Sequence, residues 1–272
     1  MRAIRTDRFR RADIDAFLRL AAEEGWLCDP WEFDFLLGTF PDGCFAVRDE
    51  EGAVAFVTAV SYGTSGWIGN LIVRSDRRGL GIGKELMKRA IAALQRAGTE
   101  TIWLTASRAG APIYGKLGFT AVDEIRRWAG YGSAGDVAAG GTIDFEGMLE
   151  TDRAGWGDDR KGLLLAVSKR GMACGSRDGF IVRQKCGGVT QLGPWGGRSI
   201  DGAAPLLEWA LIGAGAGVSL ALDVPAGNDA AARLLESSGF TSREGTLLMF
   251  LGRPAAYRPD YVYALASMGS IG

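Results

Sequence analysis

Apolar residues recur every three or four positions between Ala12 and Glu24, with Ile14, Phe17, Leu18 and Ala21 on one helical stripe. After Gly25, the run Asp29-Pro30-Trp31-Glu32 supplies an N-cap, a proline at the first helical position and a glutamate at the third. That is a capping-box arrangement, and it predicts a short helix reaching Leu37. Alternation then takes over. Residues 2–8, Cys44–Arg48, Ala53–Tyr62 and Trp67–Arg74 read as strands, the last three joined by Asp49-Glu50-Glu51-Gly52 and Gly63-Thr64-Ser65-Gly66 turns. Turns this short predict an antiparallel meander. The helical period returns at Ile82, Leu86, Ala90, Ile91, Leu94 and Ala97, with Gly98 placed to end the helix. A buried strand over Thr101–Thr105 follows, then a helix through Tyr114 to Leu117 that stops at Gly118, and Phe119 opens another strand.

The second half repeats part of this plan. VSLALDVPAGNDAAARLLESSGFTS follows the order of TIWLTASRAGAPIYGKLGFTA: strand, polar loop, small-residue helix, Gly-Phe, strand. Aligning Phe119 with Phe240 pairs Ala111 with Ala232, Gly118 with Gly239 and Tyr114 with Leu235. A duplicated α/β domain is expected, with domains over 1–130 and 142–272 and the glycine-rich stretch Ala129–Gly141 as linker.

Composition narrows the chemistry. Of 272 residues 47% are apolar, enough to bury a sizeable core, and Lys+Arg of 31 against Asp+Glu of 32 leaves a net charge of −1. That balance disfavours a nucleic-acid partner, which requires clustered positive charge. No histidine is present, so Ser-His and Cys-His nucleophiles and histidine-ligated metals are excluded, and no metal site is expected. Acid–base work falls to Tyr, Asp, Glu, Lys, Cys, backbone or water. Four cysteines without CxxC pairing (Cys28, Cys44, Cys174, Cys186) suggest reduced thiols, and no signal-like or spanning segment is legible, so a cytoplasmic chain with no membrane partner is expected.

The segment that carries chemistry is Val73-Arg74-Ser75-Asp76-Arg77-Arg78-Gly79-Leu80-Gly81-Ile82-Gly83-Lys84, where a strand ends and a helix begins among glycines. Unpaired N–H groups and the positive end of the helix dipole face outward at such a start. Glycines 79, 81 and 83 let an anion approach the backbone, and Arg77, Arg78 and Lys84 add positive charge, so the segment reads as a pyrophosphate cradle. Two rival phosphate motifs fail on spacing. A GxGxxG fingerprint needs glycine where Lys84 stands, and a Walker A loop needs Ser or Thr where Glu85 stands.

Val73-x4-Arg78-Gly79-x-Gly81-Ile82-Gly83-x2-Leu86, followed by Ala111-x2-Tyr114-x2-Leu117-Gly118-Phe119, resembles the two hallmark motifs of the GNAT superfamily of N-acetyltransferases. The resemblance covers roughly residues 2–130. QLGPW, LDVPAGNDAAARLLESSGF and GWLCDPWEFDFLL are similar to a GNAT subgroup carrying a second, degenerate acetyltransferase-like domain. It implies an α/β fold of tandem GNAT-like domains, each a mixed, mainly antiparallel sheet flanked by helices. In the second domain Gly193-Pro194-Trp195-Gly196-Gly197-Arg198 replaces the cradle and Leu235 replaces Tyr114, so one working site per chain is expected.

The resemblance also implies roles. Acetyl-CoA is the co-substrate and a primary amine of a small molecule the acceptor, joined by direct transfer in a ternary complex. Backbone groups of Leu71, Ile72 and Val73 would bind the pantetheine arm and polarise the thioester carbonyl, and the Arg78–Lys84 segment (Arg78, Gly79, Leu80, Gly81, Ile82, Gly83, Lys84) would hold the pyrophosphate. Tyr114 would protonate the departing thiolate. Trp67 stands where some relatives carry a basic glutamate, and Ser75 where many carry proline. Asp29 and Glu32 read as capping residues, so Trp26, Trp31, Asp34 and Trp67 are the candidate acceptor-side residues. A non-catalytic acyl-CoA sensor or scaffold is the rival reading, and Cys28 or Cys44 as an acyl-carrying nucleophile a third. A monomer and a homodimer are both compatible with the sequence.

Overall fold

A computed structural model describes residues 5–136, 143–254 and 256–272. The chain divides into two compact units, Met1–Leu104 with Gly269–Gly272, and Thr105–Met268. These are not the bounds expected from sequence (1–130 and 142–272). The strand after Tyr114 pairs wholly inside the second unit. Of the expected linker, Ala129–Tyr131 is strand, and residues 137–141 lie outside the described ones.

Unit 1 begins with β1 (Arg5–Arg8), α1 (Ile14–Glu23) and α2 (Pro30–Thr39). As predicted, Asp29 caps α2, its carboxylate accepting from Trp31 N at 2.9 Å. β2 (Phe45–Asp49), β3 (Gly52–Ser61) and β4 (Ser65–Val73) form the antiparallel meander, with β1 added beside β2. α3 (Ile82–Arg96) buries Leu86, Met87, Ala90, Ala93 and Leu94, and ends before Gly98 at φ +84°. β5 (Thr101–Ala106) returns parallel to β4. Phe9, Phe17, Phe33 and Phe56 cluster with centroids 4.6 to 6.2 Å apart and pin α1 and α2 to the sheet. Burying rings of this size contributes roughly 2 kcal/mol each, which is why α2 holds although its polar face is narrow.

Two features of β4 shape the site. Its pairing with β5 runs only from Ser65–Thr101 to Trp67–Trp103, after which the two strands part. Against β3, Gly69 pairs Thr58 and Ile72 pairs Phe56, so Asn70 and Leu71 together oppose Val57 in a β-bulge. Asn70 takes φ +55°, a region asparagine tolerates, and its amide donates to Thr58 Oγ1 at 3.1 Å.

Unit 2 holds α4 (Ala111–Gly115), β6 (Thr120–Tyr131), α5 (Phe145–Trp156), α6 (Lys161–Arg170), β7 (Met172–Ser176), β8 (Gly179–Cys186) and β9 (Val189–Gly197). It continues with α7 (Ile200–Ala214), β10 (Ser219–Pro225), α8 (Asp229–Ser237), β11 (Thr241–Gly252) and β12 (Val262–Ala264). Its strand order is β11-β6-β10-β9-β8-β7, with β9 and β10 parallel and the other neighbours antiparallel. The repeat read from sequence is visible: Gly118 and Gly239 both have positive φ, and Phe119 and Phe240 are both buried. α4 is shorter than predicted, ending at Gly115 in place of Leu117, and the chain from Lys116 to Gly118 is a turn.

Candidate active site

The strongest site in unit 1 lies where β4 leaves β5. Beyond Trp67 the β4 edge has no paired strand on that side among the described residues. It leads to the N-terminus of α3, whose N-cap Gly81 (φ +78°) offers no side chain to the helix amides. Gly79 sits at φ +80°, and the space where a Cβ would stand on either glycine is open. A left-handed glycine, an open face and an uncapped helix start make a concave row of N–H donors, the geometry that binds phosphate.

The charged side chains around this row divide. Arg77, expected in the cradle, turns away: its guanidinium binds Asp49 Oδ2 at 2.8 Å and Asp76 at 2.9 Å. Arg74 reaches Asp76, Asp49 and Glu51, so both arginines brace the loop instead of facing a ligand. The Glu51 N–H and then Arg77 hold the Asp49 carboxyl below the usual carboxylate range. This bracing is therefore complete at neutral pH and is lost only as the medium falls below about pH 4 through that lowered value. Arg78 stays half-exposed, donating Nε–H to Val73 O at 2.9 Å and pairing with Glu24. Lys84 and Leu80 are exposed.

The acceptor-side candidates separate too. Trp67 is 1% exposed and donates Nε1–H to Gly269 O at 3.0 Å. Trp31 stacks on Phe35 with centroids 5.6 Å apart, whereas Phe33 belongs to the core. Trp26 is 40% exposed, its ring tilted against Phe17 with centroids 6.4 Å apart. Asp34 lies on the outer face of α2, bound to Arg11 at 3.0 Å. The inward carboxylate of that helix is Glu32, two residues earlier and so on the opposite face. It is 4% exposed and accepts from Ser270 Oγ at 2.7 Å. Sequence reasoning assigned Glu32 to capping. Asp29 performs that task by itself, and a partner 238 positions away leaves no local signal.

Tyr114, in unit 2, packs edge-on against Phe119 with centroids 6.1 Å apart, and its hydroxyl bonds to no described residue. Burial pushes its phenol above the ordinary value, so it stays protonated at neutral pH. Cys44 is fully buried and burial pushes its thiol up to about 12, which removes it as an acyl-carrying nucleophile. No cluster of metal-ligating side chains occurs among the described residues.

Unit 2 carries the counterpart geometry, with the corresponding strand edge and helix start engaged by the chain itself. β9 pairs β10 at Thr190 and Gln191 and then bulges at Gly193-Pro194, as β4 does at Asn70-Leu71. The edge exposed by that parting is taken by β12, which pairs Val262 with Gly196 and Ala264 with Trp195. The segment Gly193–Gly197, read from sequence as standing in the place of the cradle, is buried strand, and α7 is capped by Ser199, whose hydroxyl accepts from Gly202 N at 3.2 Å. Leu235, opposite Tyr114 in the repeat, is core.

Two segments, residues 41–121 and 148–264, each match an acetyltransferase (GNAT) domain family. The chain belongs to the GNAT superfamily, as a tandem of two such domains. YitH of Bacillus subtilis (strain 168), an uncharacterized N-acetyltransferase, is 23% identical over 269 residues, covering 93% of this chain and 94% of its own. The fold is that of a candidate acetyltransferase of Pyrococcus horikoshii, with TM-score 0.84, 23% identity and coverage of 98% and 95% of the two chains. A tandem GNAT protein of the clavulanic acid biosynthesis pathway has TM-score 0.63 at 14% identity, covering 93% of this chain and 100% of its own. Membership carries acetyl transfer as the general chemistry and acetyl-CoA as the family's acyl donor. The open β4 edge and uncapped α3 fit that donor. Among the described residues no helix is long and apolar enough to cross a membrane.

Proposed function

We propose that the chain transfers the acetyl group of acetyl-CoA directly to a primary amine of a small molecule. The observation that carries this reading is the β4–β5 parting that runs into the uncapped, glycine-lined start of α3. Acetyl-CoA supplies the activated acetyl group when bound. The β4 edge over Leu71, Ile72 and Val73 holds the pantetheine arm by strand-like pairing, although Arg78 already engages the Val73 carbonyl. N–H groups from Gly79 to Lys84 hold the pyrophosphate, with Arg78 and Lys84 supplying charge. Tyr114, protonated at neutral pH, returns a proton to the departing sulfur. The acceptor meets Trp31 on α2, whose aromatic face suits the apolar body of an amine, whereas Trp67 is buried and serves the fold.

Calorimetric titration with acetyl-CoA, followed by thiol release against a panel of amines, tests the reading. Binding with amine-dependent release supports it. Binding without release on any amine supports a non-catalytic acyl-CoA receptor, and no binding refutes both.

The second domain is degenerate as a donor site, because β12 and Ser199 occupy its two recognition elements. The same titration should therefore give one acetyl-CoA per chain. A stoichiometry of two would show that β12 yields its edge to ligand.

A further inference from the structure

Gly269–Ile271 forms a strap across one face of β4. The Gly69 Cβ position points at the Ser270 backbone, only 2.5 Å from its carbonyl oxygen, so glycine is what lets the strap lie flat on the strand. The Gly66 Cβ position points instead toward Leu94 of α3, so the strap and α3 lie on opposite faces of β4. The strap is clamped on both sides of Ser270: Trp67 Nε1–H donates to Gly269 O at 3.0 Å and the Tyr62 hydroxyl to Ile271 O at 2.5 Å. With both flanking carbonyls fixed, the Ser270 hydroxyl is aimed at Glu32 Oε2, 2.7 Å away. Gly69 is two residues past the last β4–β5 pair, so the strap crosses β4 level with the start of the open edge, with Glu32 (4% exposed) and Ser270 (6%) buried beside it.

We propose that Ser270 and Glu32 form the proton-accepting pair for the acceptor amine, Ser270 touching the amine and Glu32 acting through it. This rests on the acetyl-transfer reading above. Trp67 supports the assignment: it anchors the strap that presents Ser270. As the amine nitrogen bonds the acetyl carbon, its proton passes to Ser270 Oγ and the Ser270 proton passes to Glu32 Oε2. The carbon–sulfur bond breaks, and the thiolate takes its proton from Tyr114. Atoms and charge balance: Glu32 ends protonated, the phenolate is left at Tyr114, and both reset by exchange with solvent. A buried carboxylate bonded to an oriented hydroxyl is suited to this, because the proton moves along a bond already formed.

Glu32→Gln is the informative variant, since it keeps the acceptor oxygen and the side-chain volume while removing basicity. It should lower kcat roughly tenfold or more, with the melting temperature, the acetyl-CoA Kd and the amine KM near wild type. Ser270→Ala should do the same, and Ser270→Thr, which restores a hydroxyl, should recover most of the rate. Wild-type kcat in both Glu32→Gln and Ser270→Ala overturns the pair while leaving the acetyl-transfer reading intact. A rise in KM with unchanged kcat also overturns it, showing a binding role only. A wild-type chain that binds acetyl-CoA but acetylates no amine overturns the reading and the pair together.

Discussion

Replacing Gly81 by glutamate should abolish acetyl-CoA binding while leaving unit 1 folded. The residue is the N-cap of α3 at φ +78°, and nothing stands within 4 Å of where its Cβ would be. The side chain therefore enters open space and clashes with no protein atom. It costs about 1–2 kcal/mol for a non-glycine residue in the left-handed region, which most domains of this size tolerate. Functionally it does two things. It fills the cradle with atoms, and it places a carboxylate where a pyrophosphate must approach, with the helix amides as competing partners. Glutamate at the start of a helix is itself favourable, so the new side chain would satisfy the donors that the ligand needs. Calorimetry against acetyl-CoA should show no heat of binding, and thermal melting should move by only a few degrees. Gly81→Ala separates the two causes: it carries the same backbone strain and should retain most of the affinity. Wild-type affinity in the glutamate variant would place the cofactor elsewhere.

The glycine-lined turn from β4 into α3 was legible from sequence because its signals are local. The stripe of α3, the Gly98 stop and the 79-81-83 glycine spacing all lie within twenty residues, and the observed helix matches them closely. Arg77 was not legible. Its neighbour Arg78 has the same chemistry, and only the return of Asp49 from the β2–β3 turn decides which of them folds back. The bulge at Asn70 has the same origin, since an extra residue in one strand shows only against the register of its partner. Glu32 and Asp34 show the limit most plainly. Both are carboxylates on one helix, and sequence favoured Asp34 because Glu32 matched a capping pattern. Tertiary structure separated their surroundings, putting Asp34 in solvent against Arg11 and Glu32 under the strap. The self-filling of unit 2 was half legible. The loss of the RGxGxG pattern could be read, but the strand that closes the β9 edge comes from some seventy residues later and is only three residues long.

Changing Tyr114 to phenylalanine should lower kcat on the order of 10²-fold with acetyl-CoA affinity unchanged. The ring packs edge-on against Phe119 and its hydroxyl bonds to no described residue. Removing that oxygen therefore leaves the fold its packing and strands no buried partner, so the melting temperature should stay near wild type. What is lost is a proton. Burial raises the phenol above its ordinary value of 10, so the neutral form persists to higher pH than in a free tyrosine. The sign follows: the acid is fully loaded throughout the neutral range, and its contribution falls only as pH rises through that raised value. In the wild type no decline attributable to Tyr114 should appear between pH 6 and about 9. In the phenylalanine variant the rate should be uniformly low across that window, because water must protonate the leaving sulfur at every pH. A thiol leaving group with a lower pKa needs less help, so an acyl donor built on a more acidic thiol should narrow the gap between the two proteins. Equal rates with acetyl-CoA itself would reduce Tyr114 to a packing residue on α4. A matched loss with both donors would show that the hydroxyl positions the substrate without protonating it.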